Sequence, residues 1–88
     1  MIFLAQVIMT FRVMPEDPDV DLSRVESDIR SGLKVSSIER EPVAFGLNAL
    51  KVVVSVDEVE GAADEAENKI GGIDGVGGVE VISVTRDM

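Results

Sequence analysis

Asp17, Asp19, Asp21 and Asp28 stand at the spacing of positions 1, 3, 5 and 12 of a calcium-binding loop, where acidic oxygens converge on a hard cation. The match fails at two places. Leu22 holds the position where glycine makes the turn, and Asp28 replaces the usual bidentate glutamate. A turn followed by a helix cap accounts for the same aspartates. A second candidate is the cluster Gly71, Gly72, Gly75, Gly77 and Gly78, which is rich enough in glycine to suggest a phosphate cradle. It follows a helical pattern and precedes a strand-like one, the reverse of a dinucleotide-binding loop. It contains neither G-x-G-x-x-G nor G-x-x-x-x-G-K. It reads as a flexible connection. Carboxylates are plentiful, but no spacing singles out a pair, and no nucleophile or base accompanies one, as acid-base catalysis requires.

Composition narrows the chemistry further. The 88 residues include no histidine and no cysteine. Imidazole catalysis, thiolate chemistry, disulfides and zinc sites are therefore excluded together, and no cofactor or metal is expected. The formal net charge is −9. That argues against binding nucleic acid through phosphate neutralisation and against an anionic membrane surface. A hydrophobic content of 45% suffices for a folded core in one domain spanning residues 1–88. Met1 to Met9 is apolar apart from Gln6 but lacks a basic leader and a small-residue cleavage site. It is also shorter than the ~20 residues of a membrane span. A cytoplasmic binding or regulatory module is the expectation, rather than an enzyme.

The elements that must carry such a function follow from periodicity. From Phe3 to Met14 every odd position is apolar, while Gln6, Thr10 and Arg12 fall at even ones. This predicts a strand covered on one face. Pro15 to Pro18 ends it. Asp19 or Asp21 caps a helix with the stripe Leu22, Val25, Ile29 and Leu33, closed near Gly32 by a left-handed residue. A second strand runs roughly from Val35 to Phe45, and Pro42 assigns it to a sheet edge. A third, Leu50 to Val56, has Leu50, Val52, Val54 and Val56 on one face. A second helix covers about Glu60 to Ile70, with core contacts at Ala63, Ala66 and Ile70. The last strand, Val79 to about Thr85, has no clear facing, because Val79 and Val81 compete with Ile82 and Val84.

The order β-α-β-β-α-β predicts an α+β fold of the ferredoxin-like kind: a four-stranded antiparallel sheet, order 4-1-3-2, with two helices on one face. The same fold serves RNA-recognition modules, which need aromatic residues on the two central strands. Here Phe3 and Phe11 fall on the core face and Phe45 in a loop, and the charge is −9, so that reading fails. The fold also serves small-molecule-binding regulatory domains that act as sheet-to-sheet dimers. Such a dimer needs an apolar outer face, and Gln6, Thr10, Arg12, Lys51 and Ser55 on that face disfavour it.

There remains Pro42-Val43-Ala44-Phe45-Gly46-Leu47-Asn48-Ala49-Leu50, which joins the second and third strands. Gly46 supplies a positive φ for a turn. Phe45 either folds inward or stands at the loop tip as a protein-binding anchor. Composition leaves both open.

This stretch resembles the most characteristic segment of the elongation factor 1-beta family in its short archaeal form. Val13 to Leu22 is similar to that family's first strand-to-helix junction, and Val79 to Met88 to its last strand. The resemblance covers the whole chain in order. It implies the ferredoxin-like fold and a guanine nucleotide exchange factor that makes and breaks no covalent bond. The implied partner is elongation factor 1-alpha, the GTPase that carries aminoacyl-tRNA, in its GDP-bound and nucleotide-free forms. In eukaryotic members a phenylalanine in the corresponding loop packs on the GTPase, and the matching residue here is Phe45, with Gly46 and Leu47 shaping its turn. Those members also carry a C-terminal lysine that reaches the magnesium site. This sequence departs there: it stops at Met88, and the nearest cation is Arg86. Phe45, Gly46, Leu47 and Arg86 are thus the expected partner-binding residues.

Overall fold

The computed structural model describes residues 6–57 and 61–87, apart from the side chains of Phe45 and Asp87. The elements are β1 (Gln6–Pro15), α1 (Leu22–Gly32), β2 (Lys34–Pro42), a 3-10 turn (Ala44–Gly46), β3 (Asn48–Asp57), α2 (Ala62–Gly71) and β4 (Val76–Asp87). They form one antiparallel sheet in the order β2-β3-β1-β4. This is the expected ferredoxin-like plan with the two regularly alternating strands in the centre. Phe3 and Glu60, expected in the first strand and second helix, lie outside the described residues.

One face of β1 and β3 makes the core. Met9, Phe11 and Val13 are buried together with Leu50, Val52 and Val54, and Val25, Ile29, Ala66 and Ile70 of the helices close over them. Both helices therefore cover the same face. Asp21 caps α1 by accepting from the Ser23 and Arg24 amides at 3.0 and 3.3 Å, which satisfies two of the amides a helix start leaves unpaired. Asp19 does not cap. Its amide donates to Asp17 Oδ1 at 2.8 Å and tightens the preceding turn. Arg40 on β2 donates to Glu26 Oε2 and Ser23 Oγ, both at 3.0 Å, and fastens α1 to the edge strand.

Several expectations are corrected. β2 stops at Pro42, because the 3-10 turn begins two residues later and takes Phe45 out of the strand. Gly32 is not left-handed. α1 ends instead on extended Leu33, whose amide still donates to Ile29 O at 3.1 Å. Ala63 is exposed; α2 buries only Ala66 and Ile70, four residues apart on one stripe. The most instructive correction concerns the glycine cluster, which is a tight junction rather than a loose connection. β4 already begins at Val76 and includes Gly77 and Gly78. A Cβ on Gly77 would meet Pro15 O and Glu16 Cα at 3.0 Å, so β1 and β4 approach here at backbone distance.

Gly75 is buried at φ +96°, and a Cβ there would lie 2.9 Å from Val20 Cγ1. Gly75→Ala should therefore cost about 1 to 3 kcal/mol, from the left-handed backbone and the overlap together. Chemical denaturation followed by circular dichroism measures it. A loss below half a kcal/mol would mean that the turn relaxes freely.

The ambiguous facing of the last strand also has a physical cause. Phe11 is opposite Val81 and Thr10 opposite Ser83, which leaves Ile82 unpaired in a β-bulge. The extra residue shifts the alternation by one. Val79 and Val81 before it and Val84 after it therefore share the helix-side face, although their numbers differ in parity. Among the described residues no helix is long and apolar enough to cross a membrane.

Candidate functional site

The register places the chain's turns at two ends of the sheet. Pro42 pairs with Asn48, and Arg40 with Leu50, which pairs with Val13. The β2–β3 turn therefore projects beyond the end of the sheet where β1 finishes and β4 begins. Val43 donates to Leu47 O at 2.9 Å, and Leu47 to Ala44 O at 3.4 Å, closing a compact loop. Gly46 sits at φ +73° with open space around its Cβ position. Here the backbone conformation, not crowding, requires glycine. Gly46 is exposed and Leu47 half-buried, so the turn presents an apolar shoulder on a fixed backbone. The exposure of the Phe45 side chain lies outside what the structure describes.

The other loops at this end are braced. Glu16 donates to Gly75 O at 2.9 Å, and Arg24 Nη2 to Asp74 O at 2.7 Å, while Arg24 Nη1 bonds Asp28 Oδ2 at 3.0 Å. The aspartates that matched calcium-loop spacing are used locally. Asp17 accepts in its own turn, Asp21 caps α1, and Asp28 pairs with Arg24. Among the described residues no group of three acidic, histidine or cysteine side chains is placed to hold a metal.

Arg86 stands at the other end. It is opposite Val7, which pairs with Val56, so it lies on the helix side near the C-terminal end of β3. Asn48 and Val56 are eight residues apart on β3, which makes the separation from the Phe45 turn about 27 Å at strand rise. Nearby, Ser55 Oγ donates to Gln6 Oε1 at 2.9 Å, and Gln6 Nε2 donates to Asp57. The four expected partner-binding residues thus divide: Phe45, Gly46 and Leu47 share one turn, and Arg86 is a sheet's length away. A shallow cleft of about 260 Å³ opens between the helices and the sheet at the Arg86 end, lined by Leu33, Lys34, Val56, Ala66 and Lys69. No local sequence pattern marks it, since its lining comes from α1, β2, β3 and α2 together.

No buried charged or polar side chain occurs among the described residues. The expected partner-binding residues lie at two ends of the sheet.

Comparison with known proteins agrees. Residues 8–86 match the EF-1 guanine nucleotide exchange domain family. The chain is 43% identical over 89 aligned positions to elongation factor 1-beta of Methanothermobacter thermautotrophicus, covering 97% of this chain and all of that protein. It is 40% identical to elongation factor 1-beta of Methanocorpusculum labreanum, covering 94% of this chain and 98% of that one. The protein of Natronomonas pharaonis is 39% identical over 94% of this chain and 99% of its own length. A match spanning every element from β1 to β4 leaves no room for a borrowed motif, and the chain belongs to the elongation factor 1-beta family of EF-1 guanine nucleotide exchange domains.

Proposed function

We propose that the whole chain is a single exchange domain acting in the cytoplasm on elongation factor 1-alpha. It engages the GDP-bound form, stabilises the nucleotide-free form and so speeds replacement of GDP by GTP. The family match from residue 8 to residue 86 carries this reading. No covalent bond changes. An exchange factor shifts an equilibrium only by its differential affinity for the two states of the GTPase. Loosening the contacts to the phosphates and their magnesium ion is the efficient route.

The Phe45 turn is the anchor in this reading. Its backbone is held by two hydrogen bonds and a left-handed glycine, so little ordering cost falls on binding. Arg86 is the distal contact. With about 27 Å between them along the strand, the GTPase must meet the domain at two places or along the length of the sheet. A net charge of −9 favours basic regions of the partner for the remaining contacts, and argues against direct binding to nucleic acid or membrane.

Release of a fluorescent GDP analogue from purified elongation factor 1-alpha tests the function. Acceleration that saturates with added protein is expected, and no acceleration would refute it. Arg86→Ala should lower the maximal rate at saturating protein by about tenfold, equivalent to ~1.4 kcal/mol in the barrier, with a smaller loss of affinity. A cation near departing phosphates acts mainly on the state in which they leave. An unchanged maximal rate would remove Arg86 from the mechanism. The regulatory-dimer reading is disfavoured by the charged and polar residues on the open sheet face.

A further inference from the structure

Four charged residues form one row across the open face of the sheet. Glu39 of β2 is directly opposite Lys51 of β3, Lys51 is opposite Arg12 of β1, and Arg12 is opposite Glu80 of β4. The signs run negative, positive, positive, negative. The central pair breaks a rule that sheets otherwise follow, because like charges directly opposite one another are destabilising.

Neither central cation is well served by its neighbours. Lys51 is exposed and makes no ion pair among the described residues. Arg12 has the Glu41 and Glu80 carboxylates at 3.8 and 3.9 Å, beyond hydrogen-bond range. Its Nε is buried without a partner. Arg24 and Arg40 make a useful contrast: both donate to protein oxygens at 2.7 to 3.0 Å. The Arg12 side chain is 38% exposed, so its terminal nitrogens face outward from the sheet while Nε alone is shielded and unpartnered. The adjoining row, Ser37, Val53, Thr10 and Ser83, carries no charge and supplies hydroxyl and apolar contact surface.

We propose that this face is a docking surface for a carboxylate of the partner protein, with one aspartate or glutamate side chain received between Arg12 and Lys51. The proposal rests on the exchange-factor reading, with elongation factor 1-alpha as the partner. Directly opposed side chains are ~5 Å apart at Cβ, so a single carboxylate can accept from the guanidinium with one oxygen and from the ammonium with the other. It accepts from the outward-facing nitrogens of the guanidinium and relieves the repulsion between the two cations. Glu39, Glu41 and Glu80 flank the receiving point and oppose any anion, so only a carboxylate in direct contact with both cations is retained, with basic groups favoured around it. The row therefore selects a pattern rather than attracting negative charge in general. A chain of phosphates would run across those carboxylates, which is why a protein side chain fits and a nucleic acid does not.

Affinity for elongation factor 1-alpha, GDP release and thermal unfolding, measured on Arg12→Gln, Lys51→Gln and the double variant, test the proposal. The double variant is expected to lose at least tenfold in affinity, although its net charge becomes more negative. Its melting temperature should be unchanged or raised, since a like-charge contact and an unsatisfied buried nitrogen are both removed. Arg12→Lys should recover part of the affinity. Affinity within twofold of wild type, while wild type accelerates GDP release, would overturn the docking proposal and leave the exchange function standing. A lowered melting temperature with unchanged affinity would overturn it in favour of a purely structural clamp. Binding of a labelled RNA that Arg12→Gln abolishes would overturn the choice of a protein carboxylate. A wild-type protein that neither binds the GTPase nor accelerates release would overturn both readings.

Discussion

Phe11→Ala is expected to lower the free energy of unfolding by about 3 to 5 kcal/mol, the range for removing a buried aromatic ring. Phe11 is wholly buried at the centre of the sheet, opposite Val52 on one side and Val81 on the other. It belongs to the cluster that includes Val25 and Ile29 of α1 and Ile70 of α2. Strand pairing on both sides holds the backbone in place, so the cavity cannot collapse and its cost adds to the lost transfer energy. A domain of this size has roughly 5 to 15 kcal/mol in total, so the variant should lose a large fraction of its stability. Phe11→Leu, which keeps most of the volume, should lose much less. With no tryptophan or tyrosine in the chain, urea unfolding is best followed by far-ultraviolet circular dichroism. A loss below 1 kcal/mol would place the centre of the core elsewhere.

The opposite dissociation of stability from function is expected at the β2–β3 turn. Phe45→Ala should weaken binding to elongation factor 1-alpha by about 2 kcal/mol or more, some 30-fold, as truncation of an anchor residue does. The turn lies beyond the last strand pair, Pro42 with Asn48. Its backbone bonds, Val43 to Leu47 and Leu47 to Ala44, do not involve the ring. The unfolding midpoint should therefore move little. Calorimetric titration of the GTPase alongside thermal unfolding of the free variant separates the two quantities. A variant that loses stability but binds normally while folded would make Phe45 a core residue and nothing more. Gly46→Ala provides a companion measurement: it keeps the ring but opposes the left-handed turn, so any loss of binding would report the turn's geometry.

These predictions draw on different parts of what the sequence made legible. The core was readable because Met9, Phe11 and Val13, and Leu50, Val52 and Val54, alternate without a break, and alternation is a local property of a strand. The Pro42 edge was readable for the same reason: proline lacks a donor wherever it stands. The glycine cluster reads as loose in sequence because the need for Gly75 and Gly77 comes from Val20 and from Pro15 and Glu16, more than 50 residues away in the chain. The facing of Ala63 is not legible because an alanine-rich helix has too weak a stripe to show which of its small residues faces inward. The candidate site was legible as residue types but not as geometry. Only the register shows that Arg86 and the Phe45 turn occupy opposite ends, and only the register aligns Glu39, Lys51, Arg12 and Glu80 in a row.

The unpaired Ile82 has a consequence for the tail that follows it. Without the bulge, pairing continued from Phe11 and Val81 would set Ser83 against Met9, Thr85 against Val7 and Arg86 against Gln6. Two hydroxyl side chains would then face the helices, while Val84 and Arg86 would be carried to the opposite side of the sheet. Absorbing one residue resets the count, and Val84 and Arg86 return to the side of Met9 and Val7. The bulge works as a phase corrector. Deleting Ile82 would leave every pairing partner in place, whereas inserting a residue on either side would require a longer bulge or reverse the tail. The strand's length is free to vary by one at this point, and the handedness with which it delivers its end is not.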